Sequence, residues 1–297
     1  MPHTNIPNTQ NLFSMIGLVI GCVLFGLGSL IVAHVDSVGA YAMAFWRLSV
    51  SALIFLSLAL IVRQPFPNSR RAVILALISG GALGLDLGLW HESIYAVGPG
   101  ISTLLNSLQI FFLAFIAFAW FGEKQTKLQL FSLVLASIGV ALIASPEFAH
   151  NSSALWGFVS GILSGAFLAV SMSFVRRTHE VADVAIFPMM TLVGVGGALA
   201  LLPLMLMFDV GKILPTTLPE WGWILVYGAV MQCMAWGLIA YSIPKIALSL
   251  TGLLLLTEPV ATLIIDYFWL DKPIDAMQWD GAFLVMFAIY LGSPRKG

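Results

Sequence analysis

The feature that most constrains this chain is a series of apolar runs, most of them about 18–25 residues long, that recur along its whole length. A helix rises about 1.5 Å per residue, so about 20 apolar residues cross the hydrocarbon core of a bilayer. Runs of that length match a membrane span. Ten are read: residues 12–33, 41–62, 72–95, 99–121 and 128–144, then 155–175, 184–208, 221–241, 248–270 and 279–292. The stretches between them are too short for a soluble domain, so residues 1–297 read as a single membrane domain. Composition agrees, with 60% hydrophobic and 9% charged residues, against roughly 25% charged in soluble proteins. Lipid does not reward surface charge. A net charge of -1 leaves no electrostatic footprint for nucleic acid. Cys22 and Cys233 both sit in apolar runs, which argues against a disulfide framework or a thiolate metal site. Residues 1–11 lack a basic region, and the run that follows is long enough to span, so it reads as a span and not as a cleaved signal.

Loop charges set the expected orientation. With the N-terminus in the cytoplasm, the inner loops and tail hold Arg63, Arg70, Arg71, Lys124, Lys127, Arg176, Arg177, Lys245, Arg295 and Lys296. The outer loops hold only Lys212 and Lys272. Both termini are expected on the cytoplasmic side of an inner or plasma membrane, and the number of spans is expected to be even.

The chain also repeats itself. Gly17 to Gly21 in span 1 matches Gly157 to Gly161 in span 6, and Trp90 with Tyr95 matches Trp236 with Tyr241. Thr103 and Leu105 match Thr251 and Leu253, and Glu123-Lys124 matches Asp271-Lys272. The matches keep their order along the chain. Five spans per repeat is an odd number, so the halves must lie upside down relative to each other. The expected fold is an all-α membrane protein of ten transmembrane helices in two inverted five-helix repeats, 12–144 and 155–292. That architecture is used by transporters, with a site near the midplane between the halves.

The segment Leu253-Leu254-Leu255-Leu256-Thr257-Glu258-Pro259-Val260-Ala261, running on to Trp269-Leu270-Asp271-Lys272, resembles a Glu-Pro-Val helix that ends in a short acidic turn. Such a helix marks the drug/metabolite transporter superfamily, in its EamA-type branch with two five-helix repeats. Phe121-Gly122-Glu123-Lys124 is the first-half counterpart of the turn, and Ala44-Phe45-Trp46-Arg47 resembles the family's Arg-bearing second helix. The resemblance implies cytoplasmic termini, a central cavity and alternating access. Members move amino acids, other metabolites, cofactors or drugs, often outward. Leu108-Gln109-Ile110-Phe111 departs from the pattern, since no proline there matches Pro259, and this puts functional symmetry between spans 4 and 9 in question.

Ionisable groups inside a bilayer are costly and each needs a reason. Glu258 lies about ten residues from either end of span 9, near the midplane, and shares a helix face with Thr251 and Thr262. It is the leading candidate to bind a cationic group or carry a coupling proton; the alternative is support of the backbone around Pro259. Asp86 is second. Gly80, Gly84 and Gly88 form a small-residue seam suited to close helix contact, with Asp86 and Trp90 on the opposite face. The reverse arrangement, with His91 and Glu92 facing the cavity, stays open. Their bland reading is a solvated helix end. Arg47 has two readings as well: a clamp on a substrate carboxylate, or a structural pair with Asp86 or Asp266. Asn106 and Gln109 on span 4 offer amide donors and acceptors. Gln232 and Trp236 share a face of span 8, and Trp90 and Trp236 are matched positions that suit aromatic walls or interface anchors. Ser160, Ser164 and Ser171 read as helix packing.

No metal-ligand cluster, phosphate loop or dinucleotide fingerprint is present in the sequence, and no cofactor is called for. The partners expected are a small-molecule substrate, the lipid bilayer and, as coupling ion, protons; the oligomeric state is left unassigned. The expected function is secondary transport of a small polar or amphiphilic metabolite, with export of an amino acid or related compound as its leading version. An intramembrane lipid-modifying enzyme and a helical channel or scaffold are the alternatives.

Overall fold

In the computed structural model of the chain, residues 9–33, 35, 37–121, 126–150, 153–242, 255, 257–258, 261, 267–268, 271 and 274–292 are described. The elements among them are all helical. In chain order they are α1 (Thr9–Ala33), α2 (Ala40–Ile61), α3 (Arg70–Val97), α4 (Pro99–Asn106), α5 (Gln109–Phe121), α6 (Lys127–His150), α7 (Ala154–Val181) and α8 (Ile186–Phe208). Then come α9 (Leu218–Val226), a π-helical stretch (Tyr227–Trp236), α10 (Gly237–Ser242) and α11 (Ala276–Gly292). Among the described residues six helical segments are long and apolar enough to cross a membrane, and shorter apolar helices cover Phe13–Gly28 and Leu130–Gly139. The chain is an all-helical, multi-pass membrane protein. Most of the ninth expected span lies outside the described residues, although Leu255, Thr257, Glu258 and Ala261 are helical.

Local chemistry sets the helix ends. Ser69 caps α3 by accepting from the Ala72 N–H. Thr217 and Glu220 close a capping box on α9. Gly98 turns the chain at φ +85°, and Pro99 then opens α4. The most unusual cap belongs to α2. Its N-cap is Gly39, which has no side chain to offer, and the Ala42 N–H donates instead to Asp209 Oδ2 at 2.6 Å. A Cβ on Gly39 would collide with that carboxylate. The Gly39 N–H donates to the Lys212 carbonyl at 2.9 Å and Trp46 Nε1 to the Ile213 carbonyl at 2.8 Å, so the loop after α8 clasps the start of α2.

Two departures from regular spans were not expected. Span 4 breaks at Ser107 and Leu108 into α4 and α5. There the Ser107 hydroxyl and N–H both return to the Thr103 carbonyl, and the Leu108 N–H reaches back only three residues, to Leu105. Such local bonds compete with the regular helical ladder. Span 8 is π-wound through ten residues, Tyr227–Trp236.

Packing follows the small residues. Helix α3 lies against α7 and α8, α2 against α8, α6 against α11, and α1 against the π-helical stretch and α10. In lipid, close backbone approach supplies much of helix association. At Gly80 an added Cβ would strike the Val193 backbone of α8, and at Gly84 it would sit 2.7 Å from the Gly197 carbonyl oxygen. The glycine seam of α3 thus meets a glycine-bearing face of α8.

Candidate functional site

With its glycine face committed to α8, α3 turns Asp86 and Trp90, one helical turn apart, the other way. They line a cavity that also receives Phe25 from α1, Asn106 and Gln109 from either side of the break in span 4, Trp236 from the end of the π-helical stretch, and Glu258. Leu83, Leu168, Met172 and Ile239 are among the aliphatic side chains that complete the wall. Both halves of the chain contribute. The space between atoms is about 490 Å³ with its open mouth included, and the enclosed part has room for about one water molecule. A metabolite therefore needs side chains or helices to move apart.

The polar wall is cross-braced. Asn106 Nδ2 donates to Asp86 Oδ1 and to Ser164 Oγ, both at 2.8 Å, and Ser164 Oγ donates to the Gly161 carbonyl of its own helix. The break after Asn106 lets this amide and that of Gln109 face one space. Two buried polar atoms of lining residues have no hydrogen-bond partner among the described residues: Gln109 Oε1 and Trp236 Nε1. On the aromatic wall, the Phe25 ring lies 6.3 Å from Trp90 and 6.2 Å from Trp236, centroid to centroid. Trp90 and Trp236 thus flank one phenylalanine.

Arg47, His91 and Gln232 do not line the cavity; they form a buried layer beside it. Arg47 is 1% exposed. Its guanidinium carbon lies 4.5 Å from the ring centroids of both Phe25 and Tyr227. Nε donates to Gln232 Oε1 and Nη1 to the Tyr227 hydroxyl, each at 2.7 Å. The Tyr227 hydroxyl, accepting from Arg47, donates onward to His91 Nε2 at 2.7 Å. His91 Nδ1–H then donates to the Ala40 carbonyl at 3.0 Å, which fixes its tautomer.

Two sequence expectations are corrected by this layer. Among the described residues Arg47 forms no ion pair with Asp86; its partners are Gln232, Tyr227 and Phe25, and Asp266 lies outside the described residues. His91 is not at a solvated helix end but fully buried, because α2 and Tyr227 close over it. Its neighbour Glu92 is partly exposed and accepts from Trp156 Nε1 at 2.9 Å. Thr251, Pro259 and Thr262 lie outside the described residues. Phe25 and Tyr227 were not anticipated. Phe25 is one apolar residue in a run of them, and a span tyrosine gave no sign of the partners it reaches.

The comparisons with known proteins fit this architecture. The profile of the EamA-like transporter family matches residues 12–145 and again 155–293. An uncharacterized transporter from Archaeoglobus fulgidus is 26% identical over 170 residues, which is 57% of this chain and 58% of the relative. The chain thus spans under two thirds of the length of that curated relative. A solved crystal structure of a protein 12% identical to this one covers 96% of this chain and 97% of its own, with a TM-score of 0.63, a likeness of fold alone. The two profile matches together span nearly the whole sequence, and the chain belongs to the EamA-like transporter family.

Proposed function

We propose that this protein is a secondary transporter that carries a small polar or amphiphilic metabolite through the central cavity by alternating access. The observation that carries this reading is the cavity itself, lined by residues of both halves and holding two carboxyl side chains, Asp86 and Glu258, in a chain with few membrane charges. Intramembrane acidic groups that face a cavity mark substrate and ion pathways. The halves 12–144 and 155–292 act as the two rocking bodies, with their seam around Phe25, Trp90 and Trp236. Asp86 and Glu258 supply charge, Asn106 and Gln109 hydrogen bonds, and the tryptophans apolar contact. Arg47, Gln232 and His91 hold the wall from behind. Protons serve as the coupling ion, loaded on a cavity carboxyl group. The protein sits in the inner or plasma membrane with both termini cytoplasmic and exports an amino acid or a related compound.

The test is flux in proteoliposomes with a panel of labelled metabolites. Saturable counterflow of at least one amino compound is expected, with loss in Glu258→Gln while expression and thermal unfolding stay as in the parent protein. Normal flux in that variant would remove Glu258 from the mechanism. Flux that ignores a pH gradient would remove proton coupling.

A further inference from the structure

Resting on the reading of the cavity as the transport site, we propose that it selects its cargo by a cationic nitrogen and has no place for a carboxylate. Within the amino acids and related compounds proposed above, this narrows the cargo to the related compounds that lack a carboxylate: the substrate class is a small organic ammonium ion that also carries a hydrogen-bond acceptor, and zwitterions, amino acids included, and anions are poor cargo.

Four features converge. First, Asp86 and Glu258 both line the cavity, and no Lys, Arg or His is among its described lining residues. An anionic group there faces two carboxyl groups in a poorly solvated space, which give it no compensating charge, and a site discriminates as much by such a mismatch as by attraction. Second, the buried cation nearby stands behind the wall: Arg47 is not among the lining residues. Its guanidinium lies against the Phe25 and Tyr227 rings, with Nε and Nη1 engaged by Gln232 and Tyr227 and Nη2 without a partner among the described residues. Phe25, itself a lining side chain, stands between that guanidinium and the tryptophan rings. Third, the three rings of Phe25, Trp90 and Trp236 stand together on that wall. Aromatic faces attract alkylammonium groups, most strongly where water is excluded. Fourth, Trp236 is 6% exposed and its Nε1–H has no acceptor among the described residues, while Gln109 Oε1 has no donor. Unpaired buried polar atoms are costly. A ligand with one acceptor and one N–H donor satisfies both, and an ammonium ion bearing a hydroxyl or ether oxygen has those two groups.

The experiment uses the full chain reconstituted in liposomes, with protein-free liposomes as the baseline for passive leak. Three probes share a phenyl ring and differ in charge: phenylalaninol (cation with a hydroxyl), phenylalanine (zwitterion) and hydrocinnamate (anion). Phenylalaninol is expected to show saturable binding and counterflow at least about tenfold better than phenylalanine, with none for hydrocinnamate. Asp86→Asn and Glu258→Gln should each weaken phenylalaninol by about tenfold or more. Trp236→Phe keeps a ring and deletes the N–H, so it should weaken phenylalaninol several-fold but leave phenethylamine, which lacks the oxygen, unchanged. Equal or better handling of phenylalanine overturns the charge selection and leaves the transport reading standing. Loss of both amines to the same degree in Trp236→Phe overturns the role of its N–H. Absence of saturable flux with these probes and with the whole metabolite panel overturns the transport reading itself.

Discussion

Asn106 Nδ2 donates to Asp86 Oδ1 over 2.8 Å, and the same nitrogen reaches Ser164 Oγ at 2.8 Å. One amide at the end of α4 therefore ties α3 to α7 at the cavity wall. The two partners should respond differently to substitution. Asp86→Asn leaves an oxygen acceptor in place, so thermal unfolding in detergent should move by less than about 0.5 kcal/mol while transport falls. Asn106→Ala strands buried groups on two helices and should cost about 1–2 kcal/mol. Equal destabilisation by the two variants would refute the bracing role.

Arg47 makes directional contacts that lysine cannot copy. Its Nε and Nη1 engage two different side chains, and its carbon lies 4.5 Å from two ring centroids. Arg47→Lys offers one compact ammonium in place of a planar fork. It should lower stability by about 2 kcal/mol or more, as read by thermal unfolding of the purified protein. Exchanging the charges of Arg47 and Asp86 should not restore it, since the two form no ion pair. Recovery by that double exchange would reinstate the pair.

The α3–α8 seam provides a test with its own control. An alanine methyl at Gly80 would meet the Val193 carbonyl, and one at Gly196 the Leu77 carbonyl. Neither backbone can step aside without separating the helices. At Gly81 the added carbon would find Ala200 at 3.7 Å, an ordinary contact. Gly80→Ala and Gly196→Ala should each cost about 1–3 kcal/mol, or reduce folded yield, and Gly81→Ala should be near neutral. Alanine is the better helix former, so comparable loss at all three positions would mean that the close approaches at Gly80 and Gly196 are not what governs this seam.

The apolar spans were legible because lipid imposes one requirement, a run of about 20 residues, and composition alone reveals it. The glycine periodicity on α3 was legible for a related reason: small residues at a four-residue spacing mark a contact face whatever the neighbour is. Partners were not legible. Arg47 and Gln232 are 185 positions apart, and a hydrogen bond over that separation leaves no local pattern. The burial of His91 was hidden similarly, because its position near the end of α3 says nothing about α2 folding over it. The break after Asn106 and the π winding of Tyr227–Trp236 depend on single backbone bonds that hydropathy does not register.

The cap on α2 carries a pH signature. Burial raises the Asp209 carboxyl above its ordinary value of 3.8, with Glu92 pushing the same way, while the N–H groups of Ala42 and Tyr41 and the charge of Lys212 oppose it. In the window above 3.8 and below the raised value, the folded protein holds a proton that the unfolded chain has released. Asp209's contribution to stability is therefore fullest below that window and is lost as pH rises through the folded value. Asp209→Asn retains an oxygen that can accept from the Ala42 N–H and does not titrate. Its stability should match the parent at low pH and fall less as pH rises, so the difference between the two curves isolates this group. Asp209→Ala also does not titrate but removes the acceptor, so it should lie about 1 kcal/mol below Asp209→Asn at every pH. A Asp209→Asn curve parallel to the parent's across the acidic range would show that the carboxyl titrates alike in both states.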